Sequence, residues 1–370
     1  MFDMKLGNWR VSILDKYIIG KYLSTFGFII LIFTLISCVI DYSEKADAFS
    51  KPGVTKHEIF IDYFMHFIPH IAVLLFPLYA LIAVIFFTSR MAYNSEVISM
   101  LNAGISFGRF LRPYLMASGM VALVHLVFIH YIVPSGNKER LRIEHKYVAT
   151  NQDKGKTDNV HMFIDPETEI YIQRYNKSDT SARDFRIIKY KGKEMVGFLK
   201  AGTAKWGGYP NKWKLQNCER HTFDGLTETI QTNILVIDTT VNVHPEDFVE
   251  FTNQNEMLTT AELQKRIIVQ QERGVGNTRI YQIEKHRRTS EPFSIIILTI
   301  IGAALAARKV RGGMGLHLAL GIGLGALFIF LSKFSATFAL QPGVPPVVGV
   351  WIPNLVFGCV AVYLVSRAQK

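Results

Sequence analysis

The sequence predicts an α-helical polytopic membrane protein with six transmembrane helices, three on either side of an inserted all-β domain. Three observations carry that prediction. Of 370 residues, 49% are hydrophobic and only 19% charged, too apolar a balance for an ordinary soluble chain. The apolar residues come as long blocks near both ends, and roughly 150 polar residues separate them, enough for one extramembrane domain. That polar middle reads as short strands. The net charge of +11 suits a basic membrane face or an anionic ligand, and so much lipid-compatible sequence argues against nucleic acid as a partner.

A hydrocarbon core about 30 Å thick needs about 20 apolar helical residues. Runs of this kind cover residues 17–40, 59–87 and 110–133, then 292–307, 314–340 and 347–365. The fourth is short unless Thr289, Ser290 and Glu291 continue its helix outward. Orientation follows from the Lys and Arg of the short loops. Lys5, Arg10, Lys16 and Lys21 precede the first run, and Arg90, Arg109 and Arg112 sit around the second loop. Arg308, Lys309 and Arg311 separate the fourth and fifth runs, and Arg367 and Lys370 close the chain. All fall on one side, which predicts cytoplasmic termini in a bacterial inner membrane and a periplasmic middle. The first block runs about 24 residues into Asp41 and Tyr42, longer than the apolar core of a cleavable signal, and reads as a retained span. The expected divisions are residues 1–133, 134–288 and 289–370.

Within the middle, β-rich runs cover residues 161–165, 169–175, 185–190, 195–200, 212–217 and 229–237, separated by turns at Lys191-Gly192-Lys193 and at Gly207 to Asn211. Many short strands at this spacing predict a sandwich, jelly roll or open barrel-like sheet. Residues 259–273 have helical spacing in Leu263, Ile267 and Ile268, with Thr259 and Glu262 able to form a capping box. Charge is segregated: basic residues from Arg183 to Arg220 dominate the first half, and Glu246, Asp247, Glu250, Glu256 and Glu262 follow the last strand. The basic part is either a solvated face or a track for an anionic lipid or partner. Cys38 and Cys359 lie in apolar blocks, leaving Cys218 alone in the middle, so no disulfide framework and no cysteine metal site is expected there.

Gly321-x-Gly323-x-Gly325 begins like a dinucleotide fingerprint, but it lies inside an apolar helix with no strand before it. With Gly312, Gly313, Gly315 and Ala319 it offers small side chains for close helix packing, with Gly321 and Gly325 as the expected contact points. His66 and His70 have zinc-helix spacing without the catalytic Glu and with Pro69 between them, so satisfied histidines are expected rather than a metal site. Sequence signatures of a nucleophile or a Walker lysine are absent, which argues against an enzyme. Lys333, in the outer half of the fifth run, costs about 3 kcal/mol on insertion scales. It either snorkels to the headgroups or meets an anionic substrate. Residues 94–104 of the second loop read as a short helix capped by Asn94 or Ser95, with Glu96 at its positive end and Gly104 stopping it. Its incomplete apolar face of Val97, Ile98, Met100 and Leu101 suits a docking partner or a lipid surface.

Leu14-Asp15-Lys16-Tyr17 before the first span, Ser95-Glu96 with Met100 and Ala103-Gly104 in the loop, and Gly343-Val344-Pro345-Pro346 before the last span carry a resemblance over nearly the whole chain. The sequence resembles the LptF/LptG (YjgP/YjgQ) permeases of the lipopolysaccharide exporter, with its first and last motifs more like LptG. Lys212-Trp213-Lys214-Leu215 adds a weaker likeness in the middle. The resemblance implies a non-catalytic permease paired with a second LptF/LptG-type chain on a cytoplasmic ABC ATPase dimer, where ATP and Mg would bind. It implies a periplasmic jelly roll that passes lipopolysaccharide to a bridge of the LptC/LptA type. It further implies that Glu96, with Ser95, Met100 and Gly104 around it, couples to the ATPase, and that basic residues at the outer ends of the first and third spans hold lipid phosphates. Lys45, Lys138, Arg140 and Arg142 lie in those regions, although Asp41 and Glu44 accompany Lys45. A scaffold or sensor that displays the β domain without moving substrate is the competing class, and a membrane-embedded enzyme a third.

Overall fold

The computed structural model describes residues 12–148, 158–308 and 313–368, apart from residues 166, 177–178, 193, 209–210, 226, 242, 244–253, 273–277 and 342. Lys5, Arg10, Lys193, Tyr209, Pro210, Glu246, Asp247, Glu250, Arg273, Lys309, Arg311, Gly312 and Lys370 lie outside the described residues. The chain forms two compact units, Met1–Arg140 with Gln282–Lys370, and Leu141–Tyr281.

In chain order the helices are α1 (Ile13–Glu44), the single turn α2 (Ala46–Phe49), α3 (Glu58–Tyr93), the loop helix α4 (Glu96–Asn102) and α5 (Phe107–Tyr147). Six strands follow: β1 (Asp158–Asp165), β2 (Thr168–Asn176), β3 (Ser181–Lys191), β4 (Glu194–Gly208), β5 (Lys212–Asp224) and β6 (Thr227–Thr240). Then come α6 (Gln254–Met257), α7 (Thr260–Glu272), α8 (Thr278–Ala306), α9 (Gly313–Phe338) and α10 (Pro346–Ala368). Among the described residues, helices α1, α3, α5, α8, α9 and α10 are the six that are long and apolar enough to cross a membrane. Thr289, Ser290 and Glu291 do continue the fourth span, which starts at Thr278.

In the helical unit α3 is the hub. Of its most apolar window 72% is buried, against 17% for α1 and 22% for α9, so α3 packs among helices while the other two present apolar side chains outward. Two pairs of hydroxyls inside this core satisfy each other, as a buried polar group favours: Tyr22 with Thr299 at 3.0 Å, and Thr88 with Tyr114 at 2.9 Å. Apolar association gains little between helices in lipid, so small residues that allow close approach matter more. A Cβ on Gly302 of α8 would lie 3.1 Å from Leu81 of α3, and one on Gly321 or Gly325 of α9 would run into the end carbons of Ile85 and Leu78 on the same helix.

The second unit is one antiparallel sheet in which every strand pairs with its chain neighbours, in the order β1-β2-β3-β4-β5-β6. The inserted domain is therefore a β domain as the pattern predicts, and its described strands follow an up-and-down course without the crossovers of a jelly roll. Alternation puts Ile170 with Ile172 and Trp213 with Leu215 in one buried cluster, which Phe185, Ala201, Ala204 and Cys218 join; the three-residue steps from Ala201 to Ala204 and from Leu215 to Cys218 mark breaks in the strict alternation. The basic residues turn the other way: Arg186 pairs in register with Lys200, and Lys205 with Lys214. Asn217 has φ 54° beside the register shift between Cys218 and Arg220, a bulge that bends the sheet. The expected capping box opens α7, with Thr259 N–H on Glu262 at 2.7 Å and Glu262 N–H on Thr259 at 3.4 Å, and Leu263 and Ile267 then pack with Tyr281.

Trp213 is the largest fully buried side chain; its ring stacks on Phe185 at 5.7 Å and its Nε1–H donates to the Val243 carbonyl at 2.9 Å. Replacing it with Ala should destabilise the sheet by about 3–5 kcal/mol. Hydrogen exchange of β3 to β5 measures this directly, with protection in those strands expected to collapse in Trp213→Ala; wild-type protection would contradict the assignment.

Candidate functional site

The loop helix α4 is joined to α3 through Asn94 and Ser95 alone. Ser95 takes φ 64°, a left-handed conformation, and makes no side-chain cap, so the expected capping by Asn94 or Ser95 is not formed. A capping side chain needs extended backbone to reach back to the free amides, and a left-handed residue aims elsewhere. The Ser95 carbonyl instead accepts from the Ser99 hydroxyl at 2.9 Å, and Asn94 Nδ2 lies 3.5 Å from Glu96 Oε1. The far end closes as expected: Gly104 has φ 83°, its N–H bonds to the Leu101 carbonyl, and Ile105 N–H bonds to that of Met100. Val97 is completely buried, Met100 and Leu101 rest on the bundle core, and Ile98 is exposed.

Two links join this loop to the start of α1. The Tyr17 hydroxyl donates to Glu96 Oε2 at 3.1 Å. Arg109 grips Asp15 through both nitrogens, at 2.5 and 2.9 Å, and adds a 2.9 Å bond to Ser12 Oγ. Asp15 is fully buried and also belongs to the capping box of α1, accepting from Ser12 N–H at 2.9 Å. Asp15, Tyr17 and Arg109 were not singled out as site residues in the sequence. The separations of 79 residues for Tyr17–Glu96 and 94 for Asp15–Arg109 leave no local spacing signal.

At the opposite end of the spans, Lys45 bonds Asp41 at 2.7 Å and Tyr63 closely, and Tyr63 in turn donates to Asp41 at 2.9 Å. Lys45 therefore sits in a paired cluster beneath aromatic rings. Arg140 is buried with its Nε on Asn137 at 3.0 Å, whereas Lys138 and Arg142 are exposed. Lys333 is exposed on α9. Lys45, Arg140, Lys333 and Arg287 all act electrostatically on His70, three of them cations picked out in the sequence. Lys138 and Arg142 are not among them. Histidine 66 bonds the Asp62 carbonyl at 2.8 Å, a local satisfaction, and no cluster suited to a metal ion is present among the described residues.

Arg287 belongs to a network that sequence reasoning missed. Glu284, Arg287, Arg288 and Glu291 fall at i, i+3, i+4 and i+7 of α8, a spacing visible in the sequence. Arg288 Nε meets Glu284 at 2.9 Å with both side chains buried, Arg287 bridges Glu284 and Glu291 at 2.9 and 3.0 Å, and buried His125 stands 3.8 Å from Glu291. Ionisable groups at membrane depth are costly unless paired.

The sheet lines a cavity of about 620 Å³ whose apolar wall includes Ile164, Ile187, Leu199 and Ile237, with Lys189 and Arg220 among its polar groups. On the sheet, hydrogen bonds from Arg186 at 3.0 and 2.7 Å hold the Asp184 carboxyl below its ordinary range. The Glu169 carboxylate raises Tyr190, and burial raises the Cys218 thiol, which keeps this free cysteine protonated and unreactive.

Six helices among the described residues that are long and apolar enough to cross a membrane, a β domain inserted between the third and fourth, and a loop helix seated on the bundle define a multi-pass membrane protein. The chain belongs to the family described as lipopolysaccharide export system permease LptF/LptG, whose model matches residues 16–367. It is 20% identical to the lipopolysaccharide export system permease protein LptG of Escherichia coli K12, over 96% of this chain and 98% of that protein. To the protein of the same description from Haemophilus influenzae it is 22% identical, over 97% and 99%.

Removing one partner from the buried Glu284–Arg288 pair leaves the other charge uncompensated, which costs about 3–5 kcal/mol. Glu284→Gln, close to isosteric, should lower the thermal unfolding midpoint of the detergent-purified chain clearly. A midpoint equal to that of the wild type would show that the pair does not hold the bundle.

Proposed function

We propose that this chain is the permease subunit of an ABC transporter that takes lipopolysaccharide from the outer leaflet of the bacterial inner membrane and passes it to a periplasmic bridge. The driving ATPase dimer is a separate cytoplasmic partner, and a second permease chain completes the membrane part. Family membership supports the export role. The observation that carries the coupling is the loop helix: Val97 anchors it in the bundle while Glu96 and Ile98 remain available to a docking surface. Short-loop cations support a reading with that helix and both termini in the cytoplasm and the sheet in the periplasm.

The cations around His70 suit an amphiphile whose phosphates gain charge-assisted hydrogen bonds while its tails gain by burial. Lys45, Arg140 and Lys333 are the members of that group assigned here to headgroup phosphate, with Lys138 and Arg142 further along the α5 helix. The half-open cavity of the sheet, with an apolar wall beside Lys189 and Arg220, suits an amphiphile. ATP-driven closure of the ATPases then moves α4, and the spans narrow a lateral cavity so that lipid is pushed toward the β domain. A scaffold that only displays the sheet would need no ATPase.

Purification of the tagged chain from native membranes, with mass spectrometry of its companions, should recover an ABC ATPase, a second six-span chain and lipopolysaccharide. Recovery of the chain alone with ordinary phospholipid favours the scaffold. Glu96→Lys should abolish export while leaving the chain folded in the membrane; normal lipopolysaccharide export by this variant would remove Glu96 from the coupling role.

A further inference from the structure

The loop helix is covalently tied to α3 and α5, and its route to those two spans is short. α1 has no such tie, and yet both flanks of the loop are bound to its first turns. Glu96, the first residue of α4, takes the Tyr17 hydroxyl at 3.1 Å. Arg109, the third residue of α5, holds Asp15 and Ser12. These links differ in strength. The Asp15–Arg109 fork is charge-assisted on a fully buried carboxylate, whereas Tyr17 is 40% exposed and makes one bond to a carboxylate that is also open to solvent. The fork is therefore a pivot and the Tyr17 bond an adjustable contact.

We infer that displacement of the loop helix is delivered directly to the first span through this double link, with Asp15, Arg109 and Tyr17 as positioning residues for the Glu96 coupling. This rests on the reading of Glu96 given above. Three features support it. Glu96 has two oxygens: Oε2 is taken by Tyr17, and among the described residues Oε1 has only Asn94 at 3.5 Å, so a basic partner group can bind Oε1 without displacing Tyr17. A pull on the carboxylate is then felt at residue 17. Second, α1 is the span whose apolar window is least buried, 17%, so most of its apolar surface lies outside this chain's own packing. Third, the capping box makes the first turn of α1 rigid, because Asp15 serves the cap and Arg109 at once. Force applied at Asp15 or Tyr17 thus moves the helix as a rod instead of unwinding its end.

The test uses the complete complex in proteoliposomes and measures lipopolysaccharide delivered per ATP hydrolysed. Tyr17→Phe removes one hydroxyl and should lower that ratio by roughly fivefold or more, a usual size for coupling between sites. Arg109→Ala should lower it further, and Arg109→Lys, which keeps the charge without the fork, should recover part of it. Nitroxide labels at Tyr42 of α1 and Tyr131 of α5, both exposed, should report a distance change on nucleotide trapping that Tyr17→Phe diminishes. A wild-type ratio in both Tyr17→Phe and Arg109→Ala overturns the inference. So does a loss of export that follows reduced recovery of the complex at an unchanged ratio, since that marks a purely structural staple, and so does an unchanged label distance in the wild type. If the wild-type chain yields no ATPase and no export, the failure lies in the underlying reading and not in the link.

Discussion

A charge at membrane depth must have a partner or a path to water, and much of the helical unit is arranged around that demand. Asp15 has Arg109, Asp41 has Lys45 and Tyr63, Glu284 has Arg288, and Arg287 spans Glu284 and Glu291. Apolar contacts are non-directional, and in lipid they give helices little reason to prefer one neighbour over another. The Asp15–Arg109 and Asp41–Tyr63 links are directional and run between helices, so they fix which turns of α1 face α5 and α3, whereas the Glu284, Arg287, Arg288 and Glu291 pairs lie within α8. Between them the middle of the bundle relies on close approach, seen where Gly302, Gly321 and Gly325 meet α3. The spans are consequently held hard near their ends and packed smoothly between.

This division explains how far the sequence can be read. Spans and strands depend on runs and periods within one segment, so all six of each are visible there. Their ends are less so. The fourth strand reads as residues 195–200 but β4 extends over Glu194–Gly208, because Gly202 and Gly207 look like breaks. They are places where a neighbouring strand comes close: a Cβ on Gly207 would lie 3.3 Å from the Lys212 carbonyl oxygen, and one on Gly202 3.4 Å from Asn217. Ser95 was read as a cap from its residue type, and its left-handed backbone could not be read from type alone. The i, i+3, i+4, i+7 charges of α8 were legible in principle, since their spacing is local. Asp15–Arg109 and Tyr17–Glu96 were not, because only the fold brings their segments together.

The candidate site divides in the same way. Glu96 was found because a short helix with an acid at its start has a local signature, whereas its partner Tyr17 lies on another helix. Lys333 stands out singly as a costly charge, and Lys45 and Arg140 come from the family resemblance; that all three act on His70 depends on the packing of α1, α3, α5 and α9. The loop end and the opposite end of the bundle are thus each built from residues of several helices. A movement of one helix relative to the rest alters both at once.

The outward faces bear on where a lipid could run. Phe28, Leu31 and Leu35 of α1 and Leu327, Phe330 and Phe334 of α9 are well exposed, which costs nothing against hydrocarbon and so does not distinguish bulk lipid from a lined cavity. Lys333 adds a charge to that surface. It stands among Phe330 and Phe334 on the exposed side of α9, while its charge still reaches His70 and Glu291. A plain lipid-facing wall would carry a penalty for that cation, and a wall that meets water or an anionic headgroup would not. On the proposed reading, the same helix that offers an apolar surface to acyl chains therefore offers a cation to their headgroup. Its close packing on α3 through Gly321 and Gly325 connects that surface to the helix that leads into α4.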